Sequence, residues 1–171
     1  MSVILVRIDD RLVHGQVVEG WLRVIHATHI VVANDAVASD ETQKILYSLA
    51  VPYGVSLSCL SLQEASKVWQ KNAWGDDKVL ILVSTPEDVV KLVAYGSPIQ
   101  SVNLGGLHFR PGRIQILRAV SLDDRDVIAL RELESKGIVL EARPLPLDEP
   151  VDVRPYLTTW QGSQDVREQP R

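Results

Sequence analysis

Cysteine is nearly absent from this chain of 171 residues. Cys59 stands alone, which excludes an internal disulfide framework and a zinc cage built from cysteines. Basic residues are not in excess. Eighteen Lys and Arg against 22 Asp and Glu give a net charge of -4 and a pI near 5.5. That balance argues against a general nucleic-acid binder, whose phosphate contacts need a basic surface. Long apolar runs are missing too: the longest aliphatic stretch, Val79 to Val83, falls far short of the roughly 20 residues a membrane span requires. Charge enters at Arg7, Asp9, Asp10 and Arg11, so the start does not read as a secretory leader. There is no P-loop lysine motif and no G-x-G-x-x-G spacing at a strand-to-helix turn. Internal repeats and low-complexity tracts are absent as well. What is present, 46% apolar and 23% charged residues, is ordinary globular usage. At this length about 70% of the unfolded surface can be buried. The expectation is one cytoplasmic domain, with or without a tail.

The hydrophobic pattern alternates between two periods. Val3 to Ile8 is a nearly continuous aliphatic run, as a strand buried on both faces requires. Gln16 to Ile25 then places Val17, Val18, Trp21, Leu22 and Ile25 at helical spacing. Further strands are predicted at Ile30 to Ala33, Val55 to Leu60, Lys78 to Val83, Ile99 to Leu104 and Ile138 to Ala142. Between them, helices are predicted from Ser39 to Ala50, from the Ser61/Glu64 capping spacing through Asn72, and from Thr85-Pro86 to Gly96. Another is predicted from the Ser121/Asp124 spacing to Gly137. Gly105-Gly106 reads as a turn, Leu107 to Gly112 as a loop, and Ile114 to Val120 as a strand or a short helix. The fold class that follows is α/β, a three-layer α/β/α sandwich with a mostly parallel central sheet in a single domain. Residues 1–143 form that domain, and 144–171, with five prolines and many charges, form an extended tail, partly mobile past Trp160.

In such sheets ligands bind at the carboxyl ends of the strands. Of the turns gathered there, Arg7-Ile8-Asp9-Asp10-Arg11-Leu12-Val13-His14-Gly15-Gln16 is the most loaded, with two acids, two arginines and a histidine within eight residues. His14 stands at the helix start, where unpaired N–H groups make an anion site and Gly15 lets the backbone come close. A neutral imidazole there can attack phosphorus, Arg11 and Arg7 can bind the resulting phosphate, and Asp9 or Asp10 can orient the ring. These residues are equally compatible with a helix cap on a solvated turn. They are also compatible with a hydrolase that uses Asp9, Asp10 and His14 with a divalent metal.

The same segment, extended to Val17, resembles the active-site motif of the IIB component of the mannose/fructose/sorbose family of the bacterial sugar phosphotransferase system (PTS). A second block, Ser101-Val102-Asn103-Leu104-Gly105-Gly106 followed by Phe109-Arg110 and Gly112, is similar to the same family, and the resemblance runs from about Val3 to about Arg143. It implies a cytoplasmic domain that takes a phosphoryl group from a phosphorylated IIA protein onto Nδ1 of His14. The group then passes to a sugar bound by the membrane IIC/IID permease, with which the domain associates peripherally. It implies Asp9 as orienter and Arg11 as first phosphate ligand. Arg7, Asp10, Gly15, Arg110 and Arg113 (the last where a lysine is common) complete the phosphate site. No cofactor or metal is implied, and the family suggests a homodimer. His108 and Pro111 depart from the pattern, and so does the segment after Pro144. A regulatory phosphocarrier, read by a partner without sugar transport, needs the same chemistry and is the alternative.

Other residues receive plainer readings. His26 and His29 lie three apart without an adjacent acid and read as structural or surface residues. Ser84-Thr85 reads as a cap that also opens toward the phosphate, and Trp21, Trp69 and Trp74 read as core or interface. Cys59, inside a predicted strand, reads as an inert thiol and not as a phosphoryl carrier. His108 reads as a loop residue or a second acid–base group.

Overall fold

A computed structural model describes residues 2–162. Seven strands form the central sheet in the order β3-β2-β4-β1-β5-β8-β9: β1 (Val3–Asp9), β2 (His29–Ala33), β3 (Ser56–Leu60), β4 (Val79–Val83), β5 (Ser101–Gly106), β8 (Val139–Ala142) and β9 (Val151–Asp152). All neighbours pair in parallel except β9, which runs antiparallel to β8. β6 (Ile114–Leu117) and β7 (Val120–Leu122) form a separate antiparallel pair, which resolves the strand-or-helix ambiguity there.

Both sheet faces are covered because the strands are apolar on both sides. Val31, Ala33, Ile81 and Val83 face a cluster completed by α4 (Leu62–Gln70), α5 (Pro86–Ala94) and α6 (Asp124–Ser135). Ile30, Val32, Leu80 and Leu82 face the opposite layer. There, a π-helical segment (Gln16–Trp21) runs straight into α1 (Leu22–Ile25), beside α2 (Asp35–Ala38) and α3 (Glu41–Ala50). Ser61 and Glu64 form the capping box that opens α4, and Thr85 caps α5 with Pro86 in its first turn. The cap of α6 is Asp123 with Asp126, two residues further along than the Ser121/Asp124 spacing predicted. Among the described residues no helix is long and apolar enough to cross a membrane.

The segment after Pro144 packs onto the domain. It supplies β9 and α7 (Arg154–Thr158), and Val153 and Leu157 are buried in the main core. An extended tail starting at residue 144 is therefore not what the described residues form. Apolar residues between the prolines, unread as core in the sequence, drive the return. The mobility expected past Trp160 falls on residues 163–171, outside the described residues.

Chain order fixes where a site can form. From β1 the chain moves toward β2, whereas from β5 it moves toward β8, so the helices that follow these two adjacent strands lie on opposite faces. Sheets of this class place their ligand crevice at such a reversal, outside the carboxyl ends of the strands.

Candidate active site

Arg7 and Asp9 end β1, and Asn103, Gly105 and Gly106 end β5 beside them. The ladder pairs Ile8 with Leu104 and Asp9 with Gly106, which leaves Gly105 as the extra residue of a bulge. Both glycines are strand residues, not the turn predicted, and the space above them explains their identity. A Cβ on Gly105 would lie 1.8 Å from the Arg7 Cζ. One on Gly106 would lie 3.2 Å from an Asp9 carboxylate oxygen.

The Arg7 guanidinium fills that space and is 0% exposed. Nε and Nη2 donate to Asp9 Oδ2 (3.3 and 3.0 Å), Nη1 to Asn103 Oδ1 (2.7 Å), and Nη1 and Nη2 to the Arg143 and Pro144 carbonyls (both 3.1 Å). Its Cζ lies 5.2 Å from the Trp21 ring centroid, and Trp21 Nε1 donates to the Pro144 carbonyl at 2.8 Å. All five guanidinium N–H groups are thereby committed. Arg7 does not reach a phosphate as expected; it braces Asp9.

Asp9, 1% exposed, in turn holds His14: its Oδ2 lies 2.8 Å from His14 Nε2, and its Oδ1 accepts the Arg11 N–H at 3.1 Å. Burial pushes the Asp9 pKa up, but the hydrogen bond from His14 and the charge of Arg7 outweigh it and hold the carboxyl below its ordinary value. An ionised carboxylate only accepts, so Nε2 carries the proton and the neutral ring bears its lone pair on Nδ1. That nitrogen has no partner among the described residues, and the side chain is 18% exposed.

The backbone of this turn is shaped for the purpose. Leu12, buried at 4% exposure, adopts φ +58°, a left-handed conformation that costs about 1–2 kcal/mol and is held by core packing. The His14 carbonyl accepts from both Val17 and Val18 N–H at 3.0 Å, where the helix begins as π and not α. Gly15 has an ordinary φ of -52°, is exposed, and has nothing within 4 Å of a Cβ placed on it. The approach to the helix start beside His14 is open.

The profile of the family described as PTS system sorbose subfamily IIB component matches residues 3–168. The chain belongs to that family. It is 39% identical over 153 residues to the sorbose-specific EIIB component of Klebsiella pneumoniae, covering 90% of this chain and 93% of the relative. It is 37% identical to the fructose-specific EIIB component of Bacillus subtilis, covering 86% and 91%. The crystal structure of the IIBSor domain of the Klebsiella pneumoniae sorbose permease superposes with a TM-score of 0.87 at 38% identity, covering 94% of this chain and 99% of that one.

In this IIB chain the remaining predicted site residues separate into two groups. Arg11 and Arg110 are exposed, and neither guanidinium has a partner among the described residues. Asp10 and Arg113 turn to the loop after β5. Asp10 accepts the His108 N–H at 2.8 Å and bonds its Nδ1. Arg113, 4% exposed, donates to the His108 carbonyl at 3.0 Å and stands 3.6 Å from Asp10 and 3.5 Å from Asp126. Burial raises the pKa of Asp126, with Arg113 opposing that shift. Both residues anchor the loop after β5. Asp9 and Asp10 thus diverge to different cations, unlike a paired-carboxylate metal site, and no group of three metal-ligating side chains occurs among the described residues.

Ser84 Oγ bonds Asp88 and accepts from Asn34, both at 3.0 Å, and so is not free to contact phosphate. His29 is held by Asp77 and Ser58. Cys59 lies in the edge strand β3, its thiol pKa raised by burial. Asn103 and Trp21 were missed as site residues. An asparagine inside an otherwise apolar strand run was the available signal for the first.

Proposed function

We propose that this chain is the phosphoryl-carrying IIB subunit of a sugar phosphotransferase system. His14 takes the phosphoryl group from a phosphohistidine on its IIA partner and passes it to a sugar bound by the membrane IIC/IID permease. In the nomenclature of the reaction it is a protein-Nπ-phosphohistidine–sugar phosphotransferase. The observation that carries this reading is the unpartnered Nδ1 of His14, left as nucleophile because Nε2–H is given to Asp9.

In the uptake step the Nδ1 lone pair attacks phosphorus and the ring becomes cationic. The Asp9 carboxylate at 2.8 Å stabilises that charge, and Arg7 keeps the carboxylate ionised and aimed. A loose transition state spreads negative charge over three oxygens, so cationic donors supply most of the catalysis. Arg11, free beside the turn, is the first of these, Arg110 approaches from the facing loop, and the backbone at Gly15 accommodates the phosphate. The group returns to the sugar hydroxyl by the reverse displacement. The carrier works in the cytoplasm, docks peripherally on the permease, and pairs as a homodimer.

Incubation with phosphorylated IIA and labelled phosphate is expected to place one acid-labile, base-stable label on the peptide containing His14, and His14→Ala is expected to take none. Persistent labelling of His14→Ala overturns the reading. Sugar phosphate formed with permease vesicles separates a transporter subunit from a regulatory carrier.

A further inference from the structure

The turn after β1 carries two consecutive carboxylates, and each holds one imidazole. Asp9 takes His14 through Nε2, and Asp10 takes His108 through Nδ1. The His108 backbone is fixed as well: its N–H donates to Asp10 Oδ2 at 2.8 Å, and its carbonyl accepts from Arg113 Nη1 at 3.0 Å. Its side chain is 41% exposed, and Nε2 has no partner among the described residues. The ring lines a cleft of about 440 Å³ together with Gln16, two residues beyond His14, and with Pro144, whose carbonyl holds Arg7 and Trp21. Arg118, Asp148 and Glu149 are the other charged groups around that cleft. A connecting loop does not need an imidazole anchored in this way. With Nδ1–H given to Asp10, the neutral ring carries its lone pair on Nε2.

Building on the carrier reading above, we propose that His108 is the general base of the acceptor half-reaction. Its Nε2 takes the proton of a hydroxyl entering the cleft as that oxygen attacks the phosphorus on His14. The O–H bond breaks and its proton passes to Nε2. The new O–P bond forms while the P–Nδ1 bond breaks, and the electron pair of that bond returns to His14. The His108 imidazolium is stabilised by Asp10 and then releases its proton to solvent. Because a loose transition state acidifies the hydroxyl only slightly, the gain sits at the lower end of general-base effects, about 10²-fold.

His108→Asn keeps an amide N–H to meet Asp10 and deletes Nε2, whereas His108→Ala deletes both. Each protein is labelled by phosphorylated IIA and separated from the donor. Label leaving His14 is then followed to water and to glycerol, the probe hydroxyls, per label bound. His108→Asn is expected to lose label to both about a hundredfold more slowly than wild type, and free imidazole is expected to restore the rate of His108→Ala. Equal rates in wild type and His108→Asn overturn the proposal. Slow loss that imidazole does not restore marks a purely structural effect and overturns it too. Absence of label on His14 in wild type overturns the carrier reading, and this inference with it; normal labelling with equal loss overturns this inference alone.

Discussion

Gly105→Ala inserts one methyl group at the most crowded point of the site. The new Cβ would lie 1.8, 2.0 and 2.3 Å from Cζ, Nη1 and Nη2 of Arg7, where ordinary contact begins at 3.4 Å. The guanidinium must therefore move by about 1.6 Å, the difference of the first and last of those distances. It has nowhere to go, since Asp9, Asn103 and the carbonyls of Arg143 and Pro144 hold its N–H groups and Trp21 covers its face. Overpacking alone costs about 1–3 kcal/mol, and breaking a buried charge pair about 3–5. Partial relaxation puts the expected loss near 3 kcal/mol, a large share of the roughly 5–15 kcal/mol that holds a domain folded. With a urea slope of about 2 kcal/mol/M, the unfolding midpoint followed by circular dichroism is expected to fall by about 1.5 M. The same change at Gly15, where φ is ordinary and the space is open, is the control. It is expected to leave stability unchanged or raised by about 0.5 kcal/mol. A Gly105→Ala protein within 0.5 kcal/mol of wild type would refute the role given to the bulge glycine.

Three further outcomes follow from the same geometry. Arg11→Ala is expected to slow phosphoryl uptake from IIA by at least tenfold with an unchanged melting temperature, because its guanidinium is exposed and holds no other residue. Arg7→Met is expected to act the opposite way round, lowering stability by about 3–5 kcal/mol in urea unfolding by stranding the Asp9 carboxylate. Asp9, whose folded pKa lies below its unfolded one, contributes stability present above the unfolded carboxylate range and lost as pH falls through the folded value. The stability difference between wild type and Asp9→Asn is therefore expected to shrink as pH drops below about 4, the unfolded carboxylate range. Subtracting the two proteins removes Asp88 and Asp126, whose raised pKa values act with the opposite sign. A difference that stays constant between pH 6 and the acid transition would contradict the ionised Asp9.

Much of this architecture was legible in the chain because local and global signals agree. Continuous aliphatic runs gave the parallel strands, and the Ser61/Glu64 and Thr85-Pro86 pairs gave the starts of α4 and α5. The resemblance of the first turn pointed to His14 and Asp9, and the structure brings those two together. What remained illegible depends on partners distant in sequence. Nothing near Arg7 reveals that Asn103, Arg143 and Pro144 consume its donors, so a buried brace reads like a phosphate ligand. The contacts of Asp10 and Arg113 to His108 are hidden for the same reason. Gly105-Gly106 carries the ordinary mark of a turn, and only the guanidinium above it explains the pair as strand. The left-handed Leu12 has no sequence mark at all, since its side chain is what a core position would carry.

In the proposed carrier the His14 ring offers Nδ1 to phosphorus while Nε2 stays bonded to Asp9. Nitrogen-15 NMR of the protein phosphorylated by IIA reads both ring nitrogens at once. Phosphorus coupling at Nδ1 of His14 and a protonated, hydrogen-bonded Nε2 are expected. Phosphorus on Nε2, or on any other residue, would contradict that assignment.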